Sequence, residues 1–165
     1  MSAAAPQIRS ATPEDVAAVR DVVTAAFGQA DEADLVEALA RDGDAVVSLV
    51  AVAGGEVAGH VMLSRMAAPF RALALAPVSV APGSQNRGIG QALARAALAR
   101  ARQDGWDAVF VLGDPAYYRR FGFDPATAAP FASPYAGEHF MALALRGTLP
   151  VASGELRHAP AFGRH

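Results

Sequence analysis

The chain contains no cysteine, which excludes disulfides, thiolate nucleophiles and most zinc sites together. It contains no lysine either: all 14 basic residues are arginine, which, beside the heavy use of alanine, reads as a coding bias. Long apolar runs are missing too. Those present are strand-length or broken by charge, so no transmembrane helix is expected, and the alanine-rich start lacks the basic stretch of a secretory signal. A cytoplasmic address is the expectation. A formal net charge of −2 leaves no excess of positive charge for a polyphosphate backbone, so no nucleic-acid partner is expected. His139, His158 and His165 are scattered and lack metal-ligand spacing, and no metal site is expected. What is present, 165 residues with 53% hydrophobic and 18% charged, suits one globular domain with a real core.

Read in order, residues 1 to 6 look frayed and Gln7 to Ala11 forms a first strand. Thr12-Pro13-Glu14-Asp15 is a helix start, with a hydroxyl cap, proline at the first helical position and acids in the first turn. Val16, Val19, Val23 and Phe27 should share its buried face. A second amphipathic helix runs from Glu32 to Arg41 with Leu35, Val36 and Leu39 inward and its acids in solvent, and Gly43 ends it. Val46 to Val52 and Val57 to Met66 read as strands joined by a Gly54-Gly55 hairpin, and Arg71 to Val80 as the next strand. A helix from Ile89 to Arg102 precedes an apolar strand, Asp107 to Leu112. That order predicts a parallel pair ending at Val80 and Leu112. Pro115 to Phe121 is a short helix, the proline-rich stretch Asp124 to Gly137 a surface loop, and Glu138 to Arg146 a last full strand.

The chemistry concentrates in Val78-Ser79-Val80-Ala81-Pro82-Gly83-Ser84-Gln85-Asn86-Arg87-Gly88-Ile89-Gly90. A β-branched strand meets a glycine-rich turn and then a helix whose first N–H groups have no internal partner. Those groups, at the positive end of the macrodipole, favour phosphate oxygens. A P-loop would need Lys-Ser or Lys-Thr after Gly88, where Ile89 and Gly90 stand, and a dinucleotide fingerprint would need Gly or Ala where Leu93 stands. Neither reading fits.

The spacing Gln85, two residues, Gly88, one residue, Gly90 resembles the pyrophosphate motif of the GNAT superfamily of acyl-CoA-dependent N-acyltransferases. Ala116-Tyr117-Tyr118-Arg119-Arg120-Phe121-Gly122-Phe123 follows at the distance the family shows. Gly59-His60, Gly113-Asp114-Pro115 and Phe140-Met141-Ala142-Leu143 are similar to the YhbS-like bacterial branch. The asparagine that the family carries before its tyrosine is absent; Gly113-Asp114-Pro115 shortens the loop there.

The resemblance implies an α/β (α+β) fold, with a mixed, mostly antiparallel central sheet flanked by helices and two splayed parallel strands at the cofactor site. The domain would span residues 7–147, with 148–165 as a tail adding Glu155 to His158 as an edge strand. Acetyl-CoA would be the cosubstrate. Its arm would lie along Val78, Ser79 and Val80, pairing with the backbone of Val78 and Val80. Its pyrophosphate would sit on the amides of Gln85, Asn86, Arg87, Gly88, Ile89 and Gly90, with Arg87 near the phosphates. An amide N–H near Val80 would hold the oxyanion. Tyr118 takes the family's role of general acid to the leaving thiolate, while Tyr117 faces the core or the substrate. No glutamate lies on the strand from Arg71 to Val80. His60, sharing a strand face with Met62 and Ser64, is the candidate base. The function implied is acetyl transfer to a primary amine of a small molecule or protein terminus. A non-catalytic acyl-CoA sensor or interaction module is the alternative, no membrane partner is expected, and a homodimer stays open.

Overall fold

A computed structural model describes residues 5–164; the expected fraying of residues 1–4, and His165, lie outside them. The first strand, β1 (Gln7–Ser10), leads to a turn held by Asp15. That carboxylate accepts the Thr12 backbone N–H at 2.7 Å and both Arg9 guanidinium nitrogens at 2.7 and 3.0 Å. The Arg9 bonds foremost, then the Thr12 N–H, hold it far below the usual carboxylate range. The 3-10 turn Pro13–Asp15 continues into α1 (Val16–Phe27), which buries Val19, Val22 and Val23. Val16 and Phe27, read from the sequence as part of the buried face, are 53% and 43% exposed; Val16 lines an open cavity between α1 and the sheet instead of packing in the core. Helix α2 (Asp31–Arg41) buries Leu35, Val36 and Leu39 as expected.

Strands β2 (Ala45–Ala53) and β3 (Glu56–Arg65) meet at Gly54 and Gly55, both at positive φ, 60° and 81°, as a tight hairpin requires. Then come β4 (Ala72–Val80), α3 (Ile89–Gln103), β5 (Ala108–Leu112), α4 (Pro115–Tyr118), α5 (Pro125–Ala128), β6 (Phe131–Ala132), β7 (Phe140–Ala144) and β8 (Gly154–Glu155). The central sheet has six strands in the order β1-β2-β3-β4-β5-β7, and only β4 and β5 run parallel within it.

That pair comes apart. Ala72, Leu73 and Ala74 pair with Ala108, Val109 and Phe110, after which β4 runs on to Val80 and β5 to Leu112 without each other. Against β3, Val61 faces Val78 while Leu63 faces Leu75, so β4 carries an extra residue there. Pro77 lies in this bulge, where a residue without an N–H costs the ladder nothing.

One face of the sheet carries α3 and the Phe121–Phe123 turn, packed on Val61, Leu63, Leu75, Val109 and Val111. The other carries α1 and α2 over Val50 and Met62, and beside them an aromatic cluster of Phe70, Phe110, Phe131 and Phe140. The stretch Asp124 to Gly137 is therefore more than a surface loop: it contains α5 and β6 and buries Ala128 and Phe131. The C-terminal residues also fold back. Strand β8 pairs in parallel with β6 in a separate two-stranded sheet instead of edging the central one, and Leu156, Ala159 and Ala161 are buried. Among the described residues, no helix is long and apolar enough to cross a membrane, and no cluster of His, Asp or Glu could hold a metal ion.

Candidate active site

The parting of β4 from β5 leaves backbone groups unpaired within the sheet, although the Val80 carbonyl accepts Gln85 Nε2 at 3.4 Å. The Ala81 N–H donates to the Ala58 carbonyl of β3 at 2.8 Å. Since backbone groups alternate sides along an extended strand, those of Ser79 also turn toward β3, and those of Val78 and Val80 turn into the gap. The side chains alternate too. Val78 and Val80 pack on the α3 face, whereas Ser79 points to the opposite face, 2% exposed, its Oγ without a hydrogen-bond partner among the described residues. Ser79, assigned to the cofactor from sequence, aims its side chain away from the cradle, and neither Val78 nor Arg87 lines the cavity there.

After β4 the chain turns through Pro82–Ser84 and reaches α3 by way of Asn86 at φ 64° and Gly88 at φ 77°. Asn86 is the single asparagine of the chain, and asparagine tolerates a left-handed backbone better than other side chains do. The turn and the first residues of α3 enclose a cavity of about 210 Å³ lined by Val80, Ser84, Gln85, Asn86, Gly88, Ile89, Gly90, Gln91 and Tyr117. Its floor is the start of α3, where the Ala92 N–H is the first to bond within the helix, to the Gly88 carbonyl at 3.0 Å. The preceding N–H groups are therefore open to an anion. Nothing lies within 4 Å of where a Cβ on Gly88 would stand, so a side chain there would project into free space beside the cradle. Arg87 is exposed at the rim. Gly59 decides where α3 lies: a Cβ there would come within 2.9 Å of both Leu93 Cδ1 and the Ser79 carbonyl.

The tyrosines divide. Tyr117 lines the cradle, its hydroxyl 3.6 Å from where a Cβ on Gly90 would be, with Arg120 stacked 4.4 Å over its ring. Tyr118 lies at the end of β5, edge-on to Phe123 with ring centroids 5.9 Å apart. A Cβ on Gly113 would stand 2.5 Å from the Tyr118 ring, so glycine is required there. Asp114 caps α4 by accepting the Ala116 N–H at 2.9 Å, and Pro115 occupies the first helical position. The Gly-Asp-Pro run thus aims Tyr118 without the missing asparagine. Burial, and secondarily Tyr117, push the Tyr118 phenol above its usual pKa, so it stays a protonated donor at neutral pH.

His60 faces the opposite side from α3, fully buried, with Nε2 2.9 Å from Ser48 Oγ and Nδ1 without a partner among the described residues. It stands beside Ser79 in the β3–β4 ladder and lines a cavity of about 340 Å³ under α1 and α2. One strand separates it from the gap. Sequence reasoning passed over a second histidine. The gap opens on the face away from α3 into a cavity of about 180 Å³ lined by Ala74, Ala76, Leu112, Tyr135, His158 and Phe162, among others. His158 and Tyr135 come from segments far apart in the chain, and no local spacing marks them.

Comparison with known proteins agrees with this geometry. Residues 7–126 match the family model of the acetyltransferase (GNAT) domain. YjhQ, an uncharacterized N-acetyltransferase of Escherichia coli K12, is 38% identical over 130 residues, covering 73% of this chain and 71% of its own. The crystal structure of YhbS, a GNAT family N-acetyltransferase from E. coli in complex with CoA, superposes with a TM-score of 0.91 at 28% identity, over 99% of this chain and 95% of that one. A GNAT family acetyltransferase from Brucella melitensis, in complex with acetyl-CoA, gives 0.81 at 34% identity, over 95% and 97%. The chain belongs to the GNAT family, acetyltransferases that take their acyl group from acetyl-CoA.

Proposed function

We propose that this chain is a cytoplasmic enzyme that moves an acetyl group from acetyl-CoA to a primary amine of a small molecule or a protein terminus, by direct attack. One observation carries the proposal: β4 parts from β5 so that the backbone groups of Val78 and Val80 face a gap that ends at the cradle of Gln85, Asn86, Arg87, Gly88, Ile89 and Gly90. A peptide-like pantetheine arm suits the free strand edge, and a pyrophosphate suits the helix start. The Val80 N–H is the donor for the oxyanion that forms when the amine attacks the thioester carbon. Tyr118 gives its proton to the sulfur as the C–S bond breaks; burial raises the phenol above its ordinary pKa of about 10, so it is fully protonated and ready to donate, although a weaker acid than the thiol of about 8.5 that it forms.

The amine proton needs a receiver on the far side of the gap. His60, the candidate from sequence, would act only at a distance, from behind β4 and alongside Ser79. Release of free thiol from acetyl-CoA, measured against a panel of amines, tests the function. Thiol release that depends on one class of amine is the expected result. CoA binding without release for any amine would favour the sensor reading instead.

A further inference from the structure

On the face away from α3, the gap between β4 and β5 is bounded by Tyr135, His158 and Phe162, and a second cavity, of about 440 Å³, opens beyond the same three rings. The imidazole of His158 stands between the two. Among the described residues it is held by ring contacts, with centroid distances of 4.7 Å to Tyr135, 5.1 Å to Phe162 and 6.2 Å to Phe140. Its Nδ1 is buried and has no hydrogen-bond partner among the described residues. A buried polar nitrogen left without a partner costs stability of its own, so its presence between two cavities points to a ligand that satisfies it.

From this geometry, and resting on the acetyltransferase reading above, we propose that His158 receives the amine proton, and that the acceptor is a weakly basic primary amine on an aromatic body, of the arylamine class. The amine nitrogen attacks the thioester carbon, the N–C bond forms and the C–S bond breaks. The amine proton passes to the imidazole and the thiolate takes the Tyr118 proton. Solvent then removes the proton from His158 and restores that of Tyr118, leaving amide and free thiol.

Two features select the acceptor class. The gap-side cavity has no carboxylate among its lining residues, so nothing there greets an ammonium ion, while Phe110, Tyr135 and Phe162 offer ring faces. Burial also lowers the His158 pKa to about 4, so the ring is neutral at pH 7 but a weak base. A base of that strength is matched to the acidic N–H of an attacked arylamine, not to that of an alkylamine. The titratable and charged groups near it are Tyr135 across the ring and Glu155 and Arg157 on its own segment, the last two ion-paired to each other at 3.1 Å.

The test compares aniline with benzylamine as acceptors, using the full chain, thiol release as readout and CoA titration calorimetry alongside. Aniline should be the better substrate. H158Q should lose tenfold or more in kcat with CoA affinity unchanged, and the acidic limb of the wild-type kcat profile, centred near pH 4, should disappear. H158F, which keeps a ring among the rings, should be equally slow and as well folded. A purely structural role would leave the pH profile in place for whichever variant folds. Preference for benzylamine, or wild-type kcat in both variants, overturns the inference. CoA binding with no transfer to aniline overturns it and leaves the cradle standing, whereas no CoA binding overturns the acetyltransferase reading as well.

Discussion

The two faces of the sheet solve opposite problems. The α3 face must hold a long ligand that is polar at one end and peptide-like along the other. On the proposed reading it would do so with backbone: the edge of β4 at Val78 and Val80, the turn at Asn86 and Gly88, and the first amides of α3. On the same reading the opposite face admits the acceptor, with side chains drawn from the β6–β7 connection and the C-terminal residues. Backbone recognition needs contiguous sequence and glycines at fixed spacing, whereas side-chain recognition needs only that remote segments meet. One face is therefore written as a motif and the other is not.

Charge in the cradle should break the first face most severely. Gly88→Glu places a carboxylate in the open space beside the cradle, and a like charge set against phosphates costs several kcal/mol, so CoA affinity should drop more than about a hundredfold. The fold should survive, since no atom lies within 4 Å of the new Cβ, although the φ of 77° adds strain. Calorimetry together with circular dichroism checks both halves.

Next in size is the acid. Tyr118→Phe should keep CoA affinity and slow kcat by about a hundredfold, the usual worth of a general acid. Gly113→Ala sharpens the point from outside the tyrosine: a Cβ 2.5 Å from the ring must displace it, so kcat should fall in the same direction while binding holds. Near-normal turnover in Tyr118→Phe would reduce that residue to packing. Tyr117→Phe is no neutral control, because its hydroxyl lines the cradle; a modest loss of CoA affinity is expected there.

The joint between the faces can be probed through stability. Gly59→Ala forces Leu93 and the Ser79 carbonyl away from a new Cβ at 2.9 Å, overpacking that should cost about 1–3 kcal/mol in urea unfolding. On the face away from α3, burial lowers the His60 pKa from 6.5 to about 4. The unfolded chain then binds the proton more readily, so His60 contributes stability above pH 6.5 that is lost as the pH falls toward 4. The full loss is about 3 kcal/mol at roughly 1.36 kcal/mol per pKa unit. Unfolding midpoints at pH 7 and pH 4.5 should differ accordingly, and by less in His60→Gln.

The same contrast explains what could be read from the chain alone. The strand–turn–helix at Val78 to Gly90, the parallel pair and the hairpin at Gly54-Gly55 follow from local pattern, the parting of the pair from the family resemblance, and the structure has them in place. The buried stripe of α1 does not extend to Val16 and Phe27, because periodicity gives the inward side of a helix but not whether a cavity lies beneath it, as one does at Val16. The stretch Asp124 to Gly137 read as surface, because its prolines outweigh in pattern the single buried ring of Phe131. His158 had no signal at all. Its significance comes from Tyr135 and Phe162 closing around it at the mouth of the gap, a meeting that only the fold of the C-terminal residues produces.

The alternation along β4 offers the most direct test of the account. In amide exchange followed residue by residue, with and without CoA, the N–H groups of Val78 and Val80 should gain protection from the ligand, while those of Ser79 and Ala81, already turned to β3, should change little. Equal protection at all four residues, or none at Val78 and Val80 while CoA is bound, would contradict the claim that the free edge of β4 receives the cofactor.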